Sequence, residues 1–107
     1  MRKIIYHVSL DENDNDVLFV SLLVEKKPSK LIEFSLCYVT LIDNNWKEIV
    51  RFDCAHGGLH EHKFYLKPIE FLPINKEISQ ELFHELKQKI QNNWMDYKTK
   101  FFENYSP

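Results

Sequence analysis

Leu31-Ile32-Glu33-Phe34-Ser35-Leu36-Cys37-Tyr38-Val39-Thr40-Leu41-Ile42, then Asp43-Asn44-Asn45, then Trp46-Lys47-Glu48-Ile49-Val50-Arg51-Phe52-Asp53-Cys54, is the stretch that decides the fold. Ile32, Phe34, Leu36, Tyr38 and Ile42 lie on one side of an extended chain, with Glu33, Ser35 and Cys37 on the other. That two-residue period belongs to a strand with one buried face. Asp43-Asn44-Asn45 is a turn signal, so the two runs form a hairpin. A three-residue loop sets Ile42 across from Trp46, Tyr38 from Val50, Leu36 from Phe52 and Phe34 from Cys54. A two-residue loop would set Leu36 against Asp53 and Tyr38 against Arg51, turning charge into the core. A one-residue slip flips every side chain, so the longer loop is expected, with Asn45 in the left-handed position. Cys37 then sits across from Arg51 on the face opposite Cys54, and no disulfide between them is expected.

The same alternation extends in both directions. Lys3–Leu10 reads as a first strand with Ile4, Tyr6, Val8 and Leu10 on one face, and Val17–Glu25 as a second with Leu18, Val20, Leu22 and Val24. Asp11-Glu12-Asn13-Asp14-Asn15-Asp16 between them reads as a solvated turn; it lacks the central Gly and distal Glu of a calcium loop. A fifth strand is expected at His62–Lys67. Its register pairs Asp53 with Lys63, Phe52 with Phe64 and Cys54 with His62, leaving 55–61 as a loop. Pro68 and Pro73 bracket a connector. From Asn75 or Lys76 onward the period changes: Ile78, Leu82, Leu86, Ile90, Trp94, Tyr97 and Phe101 recur at spacings of three and four, the stripe of a helix over 75–104. Asn75 is the expected cap, with Glu77 in the first turn. The expected fold is α+β: an antiparallel sheet of about five strands with one long C-terminal helix on its apolar face, one domain over 1–107.

The bulk numbers narrow the class. The 107 residues are 44% hydrophobic and 28% charged, with a formal charge of −2. No net basic field draws nucleic acid, though a local patch can. No apolar run approaches the roughly 20 residues of a membrane span, and acidic residues follow the N-terminus too soon for a signal-peptide core. Cytoplasmic residence is the expected location. The two cysteines are too few for a disulfide framework.

Chemistry concentrates in Arg51-Phe52-Asp53-Cys54-Ala55-His56-Gly57-Gly58-Leu59-His60-Glu61-His62. Seven positions hold three of the five histidines, and both glycines lie among them. Histidine titrates near neutrality, so two of them supply an acid and a base at once. Neutral imidazole is also a common metal ligand, which leaves metal binding open. His60 and His62, two apart on an extended segment, project the same way. Gly57-Gly58 allow a tight return that brings His56 toward them. Asp53 can orient a histidine, and Arg51 can hold a phosphate or a developing negative charge. The expectation is that His56, His60 and His62 converge with Asp53 at one concave spot. His84 reads as a surface residue of the helix. His7 lies on the non-core face of the first strand, bordering the site only if strand order allows. No cofactor-binding motif is present.

Arg51-Phe52-Asp53-x-x-His56-Gly57-x-x-His60-x-His62 resembles the aromatic-Asp-x-x-His-Gly…His-x-His signature of the TumE-like proteins, regarded as toxins of bacterial and archaeal toxin–antitoxin pairs. It also resembles a group of small uncharacterised proteins with the same motif after a strand. The match covers about twelve residues, and the preceding strands agree loosely. The resemblance implies an RNA-cleaving or nucleic-acid-modifying toxin paired with an antitoxin protein, with Asp53, His56, His60, His62 and Arg51 as its site. Two alternatives stand beside it. One is a binding or regulatory module that assembles, as a homodimer or with a partner, through Phe101, Phe102 and Tyr105 at the end of the helix. The other is a small metal-binding protein using the same histidines.

Overall fold

In a computed structural model, which describes residues 1–54 and 57–105, six strands and one helix follow in chain order. They are β1 (Arg2–Ser9), β2 (Asp16–Lys26), β3 (Ser29–Ile42), β4 (Asn45–Asp53), β5 (His60–Lys63), β6 (Glu70–Pro73) and α1 (Gln80–Asn104). Each strand pairs antiparallel with its neighbour in sequence, so the sheet is a simple meander. Leu18, Val20, Leu36, Tyr38, Val50 and Phe52 are buried on one face, and α1 covers them with Leu82, Phe83, Leu86, Ile90 and Tyr97. This is the α+β architecture expected, with one strand more.

The central hairpin corrects its predicted loop. Leu36 pairs with Phe52, Cys37 with Arg51 and Tyr38 with Val50, as the patterning requires. Nearer the turn the register shifts, and Ile42 pairs with Asn45. The connection is therefore two residues long, with Asp43 at φ 50° and Asn44 at φ 65°. Two successive positive φ values on short polar residues suit a hairpin's twist better than a lone left-handed Asn45. The conflict with charge burial is resolved by a β-bulge: Ile49 is the extra residue, and Ile49 and Val50 are both fully buried.

The fifth strand is also re-registered. Asp53 pairs with His60 rather than Lys63, and Arg51 pairs with His62. The shorter return lets Leu59 and Tyr65 enter the core, while Glu61, across from Phe52, is largely buried. The expected connector contains β6, whose Phe71 pairs with His62 and whose Pro73 ends an edge strand, where its missing N–H does no harm. The helix starts later than Asn75. Ser79 is its cap, its Oγ accepting from the Leu82 N–H at 3.0 Å. The segment before it stays with the sheet, because the Ile74 N–H donates to the Leu59 carbonyl at 2.8 Å. The end of α1 is tied to the segment that follows β5. The Asn104 side chain donates to the Tyr65 carbonyl at 3.1 Å.

Asp16, read from sequence as part of a solvated turn, is 2% exposed. The buried Tyr38 hydroxyl donates to its Oδ1 at 2.6 Å, and Lys98 of α1 reaches Oδ2 at 3.0 Å. Burial, then the neighbouring Asp16 carboxylate, push the Tyr38 phenol well above its ordinary value. One carboxylate thus ties the sheet to the helix. Asp16→Ala would orphan the buried phenol and leave Lys98 uncompensated, so it is expected to cost about 3 kcal/mol. Urea denaturation reads this, and Asp16→Asn, which keeps an acceptor, is expected to cost clearly less.

Candidate functional site

The face of the sheet away from α1 carries the polar partners of the core alternation. One cross-strand row runs over all six strands: His7, Phe19, Cys37, Arg51, His62 and Phe71 are successive pairing partners. Beside it, Asp53 pairs with His60. Arg51, Asp53, His60 and His62 are thus gathered on one face at the β4–β5 end. The convergence of His60 and His62 with Asp53 is as expected, but it comes through the pairing of Arg51 with His62. The expected pairing of Cys54 with His62 would have turned His62 toward the core. His56 lies outside the described residues.

The gathered residues form a chain of contacts. The Cys37 thiol donates to Glu48 Oε1 at 3.2 Å, and Arg51 Nη1 donates to the same oxygen at 2.6 Å. Arg51 Nε lies 2.7 Å from Asp53 Oδ2, and His62 Nε2 lies 3.5 Å from Asp53 Oδ1. Neither of these last two contacts has hydrogen-bond alignment; the first is an ion pair, and the second becomes one only with His62 protonated. His60 Nδ1 lies 2.8 Å from the Gly58 carbonyl. A carbonyl only accepts, so the proton sits on Nδ1, and in neutral His60 the lone pair is on Nε2. Gly57 supports this turn at φ 87°, a conformation that glycine adopts without penalty.

Aromatic rings complete the surface. Arg51 lies over Phe64 at 5.3 Å, and His62 stacks on Phe64 at 5.6 Å. Phe71, 48% exposed, takes His60 face-on at 4.5 Å and His62 edge-on at 4.6 Å. Phe64, expected across from Phe52 in the core, lies instead against Arg51 and His62, and Phe71 was not singled out in the sequence. The only signal for Phe71 is an aromatic residue beyond a His-x-His strand, and β6 is too short and too proline-bounded to show a period.

The family described as "Domain of unknown function (DUF7718)" matches residues 1–106. The chain belongs to DUF7718. No curated protein and no solved structure matches it. In this DUF7718 chain Arg51 holds two carboxylates, Glu48 and Asp53, which suits orienting Asp53 better than gripping a phosphate. His7 shares the open face but is separated from Arg51 by two intervening strands, about 14 Å at ordinary strand spacing. It does not reach the site. Both cysteines are free, and burial followed by the Glu48 charge pushes the Cys37 thiol far up, which leaves it a poor nucleophile. Among the described residues no three His, Cys, Asp or Glu side chains converge to hold a metal. Among the described residues no helix is long and apolar enough to cross a membrane.

Proposed function

We propose that this DUF7718 chain is the toxin-like component of a toxin–antitoxin pair, acting on RNA in the cytoplasm. The observation that carries the reading is the placement of His60 and His62 on one open sheet face, against the same exposed Phe71 and beside Asp53. Two imidazoles supply the acid and the base that phosphodiester transfer needs. Single-stranded RNA is recognised by stacking its unpaired bases on exposed aromatic rings, which Phe71 offers. The likeness of Arg51–His62 to the TumE-like signature supports the same class.

In this reading His60 Nε2 takes the proton of a ribose 2′-hydroxyl. The 2′-oxygen bonds to phosphorus, the bond from phosphorus to the 5′-oxygen breaks, and His62 gives that oxygen a proton. The products are a 2′,3′-cyclic phosphate and a free 5′-hydroxyl. Asp53 orients His62, and Arg51 is a positioning residue that fixes Asp53. His56 is the third histidine that the signature brings to the site.

The test is induced expression. Growth is expected to stop with the parent chain and to continue with His60→Ala at equal protein level. Growth that continues with the parent chain sinks the toxin reading. A second reading, assembly through the end of the helix, is favoured by one observation. Phe102 and Ile69 are exposed beside a cavity of about 250 Å³ lined by Phe64, Leu66, Phe101 and Tyr105. Concentration-dependent association, lost on removing 101–107, would favour it.

A further inference from the structure

Next to Asp53 the open face has a hollow. Ser21 of β2 pairs with Ser35 of β3, and these two small side chains sit where neighbouring rows carry larger ones. The next row runs Lys3, Leu23, Glu33 across β1, β2 and β3. The result is a cavity of about 340 Å³ whose lining includes Lys3, Ser21, Leu23, Glu33, Ser35 and Asp53. It opens directly beside the carboxylate that touches His62. Lys3 and Glu33 are both exposed, and among the described residues neither makes an ion pair. They stand two strand spacings apart, roughly 10 Å, with Leu23 between them.

A free ammonium, an apolar floor and a free carboxylate in that order suit a phosphate, a flat ring and an edge rich in donors. A carboxylate only accepts hydrogen bonds. Among RNA bases, guanine alone places two adjacent donors, N1–H and the 2-amino group, on its pairing edge, matching both oxygens at once. Uracil turns carbonyl oxygens toward the same carboxylate, and cytosine and adenine each offer one amino group.

We infer that the hollow over Ser21 and Ser35 is a nucleotide subsite that takes a guanosine phosphate, with Glu33 reading the base edge and Lys3 contacting a phosphate. This rests on the RNA reading above and names the base that the site prefers. Leu23 and the two serines let the base lie flat on the sheet. Asp53 lines the same hollow, which sets the subsite beside His60 and His62.

The experiment measures binding of 3′-GMP and 3′-UMP to the full chain by titration calorimetry, with thermal melting to check each variant's fold. The parent chain is expected to bind 3′-GMP at least about tenfold more tightly than 3′-UMP, the discrimination of one good bidentate contact. Glu33→Gln is expected to erase that preference, Lys3→Ala to weaken both nucleotides alike, and Ser35→Phe to fill the hollow and abolish binding. Equal affinity for the two nucleotides overturns the inference, as does a preference that survives Glu33→Gln in a folded variant. Guanine-selective binding without RNA cleavage upholds the subsite and sinks the catalytic reading. Cleavage that needs His60 and His62 but ignores Ser35→Phe and Glu33→Gln does the reverse.

Discussion

Ile90→Asp is expected to leave the chain unfolded at 25 °C, with loss of both the cooperative melt and the near-ultraviolet signal of the buried aromatic rings. Ile90 is 0% exposed, at the centre of the α1 face that covers the sheet. An aspartate there must either be ionised without a partner or be protonated at a cost, and the isoleucine packing is lost as well. Each term amounts to a few kcal/mol, and together they rival the 5–15 kcal/mol that holds a typical domain folded. Leu86→Asp, one turn earlier and nearly as buried, is expected to do the same. Lys89→Asp, on the exposed side of the same helix, is expected to melt within a few degrees of the parent. If Ile90→Asp melts like the parent, the helix does not cover the sheet.

The second large effect is chemical. In purified protein acting on single-stranded RNA, His60→Ala and His62→Ala are each expected to lower kcat by about 10²–10⁴, the contribution of one general acid or base. KM should change little, since neither histidine is asked to grip the substrate in its ground state. The parent's rate should follow a bell-shaped pH curve, with one limb lost in each variant. His60→Ala loses the stack on Phe71 and the hydrogen bond to the Gly58 carbonyl and should cost about 1 kcal/mol, which leaves the chain folded. His62→Ala loses ring contacts with Phe64 and Phe71 and should cost about 1 kcal/mol. Arg51→Ala should reduce the rate less than either, because it acts through Asp53. A parent chain with no activity on RNA, or histidine variants with full activity, would leave these residues as surface ornament of a binding module.

Much of this arrangement was legible because alternation is a strong signal where one face is buried. The inner half of the central hairpin followed from Leu36, Tyr38, Val50 and Phe52 alone. The same logic failed at the turn, because a bulge breaks the rule that residue spacing preserves the face. Ile49 and Val50 both point inward, and no single-period pattern anticipates that. The fifth strand slipped by three residues because Phe64 looked like a core residue. It serves instead as a stacking ring for Arg51 and His62, and Leu59 takes the buried position. Asn75 is a good cap by residue type, but the Ile74 N–H is held by the Leu59 carbonyl, which keeps that segment with the sheet and leaves the cap to Ser79. Asp16 was missed for a more general reason. A buried carboxylate is stabilised by partners far along the chain, here Tyr38 and Lys98, and local composition carries no trace of them. For the candidate site, the His-x-His spacing gave His60 and His62 a shared side, but the expected pairing of His62 with Cys54 turned that side toward the core. Only the pairing of Arg51 with His62 puts both on the face of Asp53. Phe71 depended on a strand too short to announce itself.

The meander has a consequence for how the chain reaches this state. Each strand pairs with the one made just before it, so the sheet can zip up hairpin by hairpin, with little loop entropy lost at each closure. The helix that shields it comes last. Until Leu82 through Tyr97 have been synthesised and docked, Leu18, Leu36, Val50 and Phe52 form a sticky plate open to any passing chain. Translation that stalls within the last quarter of the message would release a sheet without its cover. Chaperone demand for this protein should therefore rise with the time its ribosomes spend there.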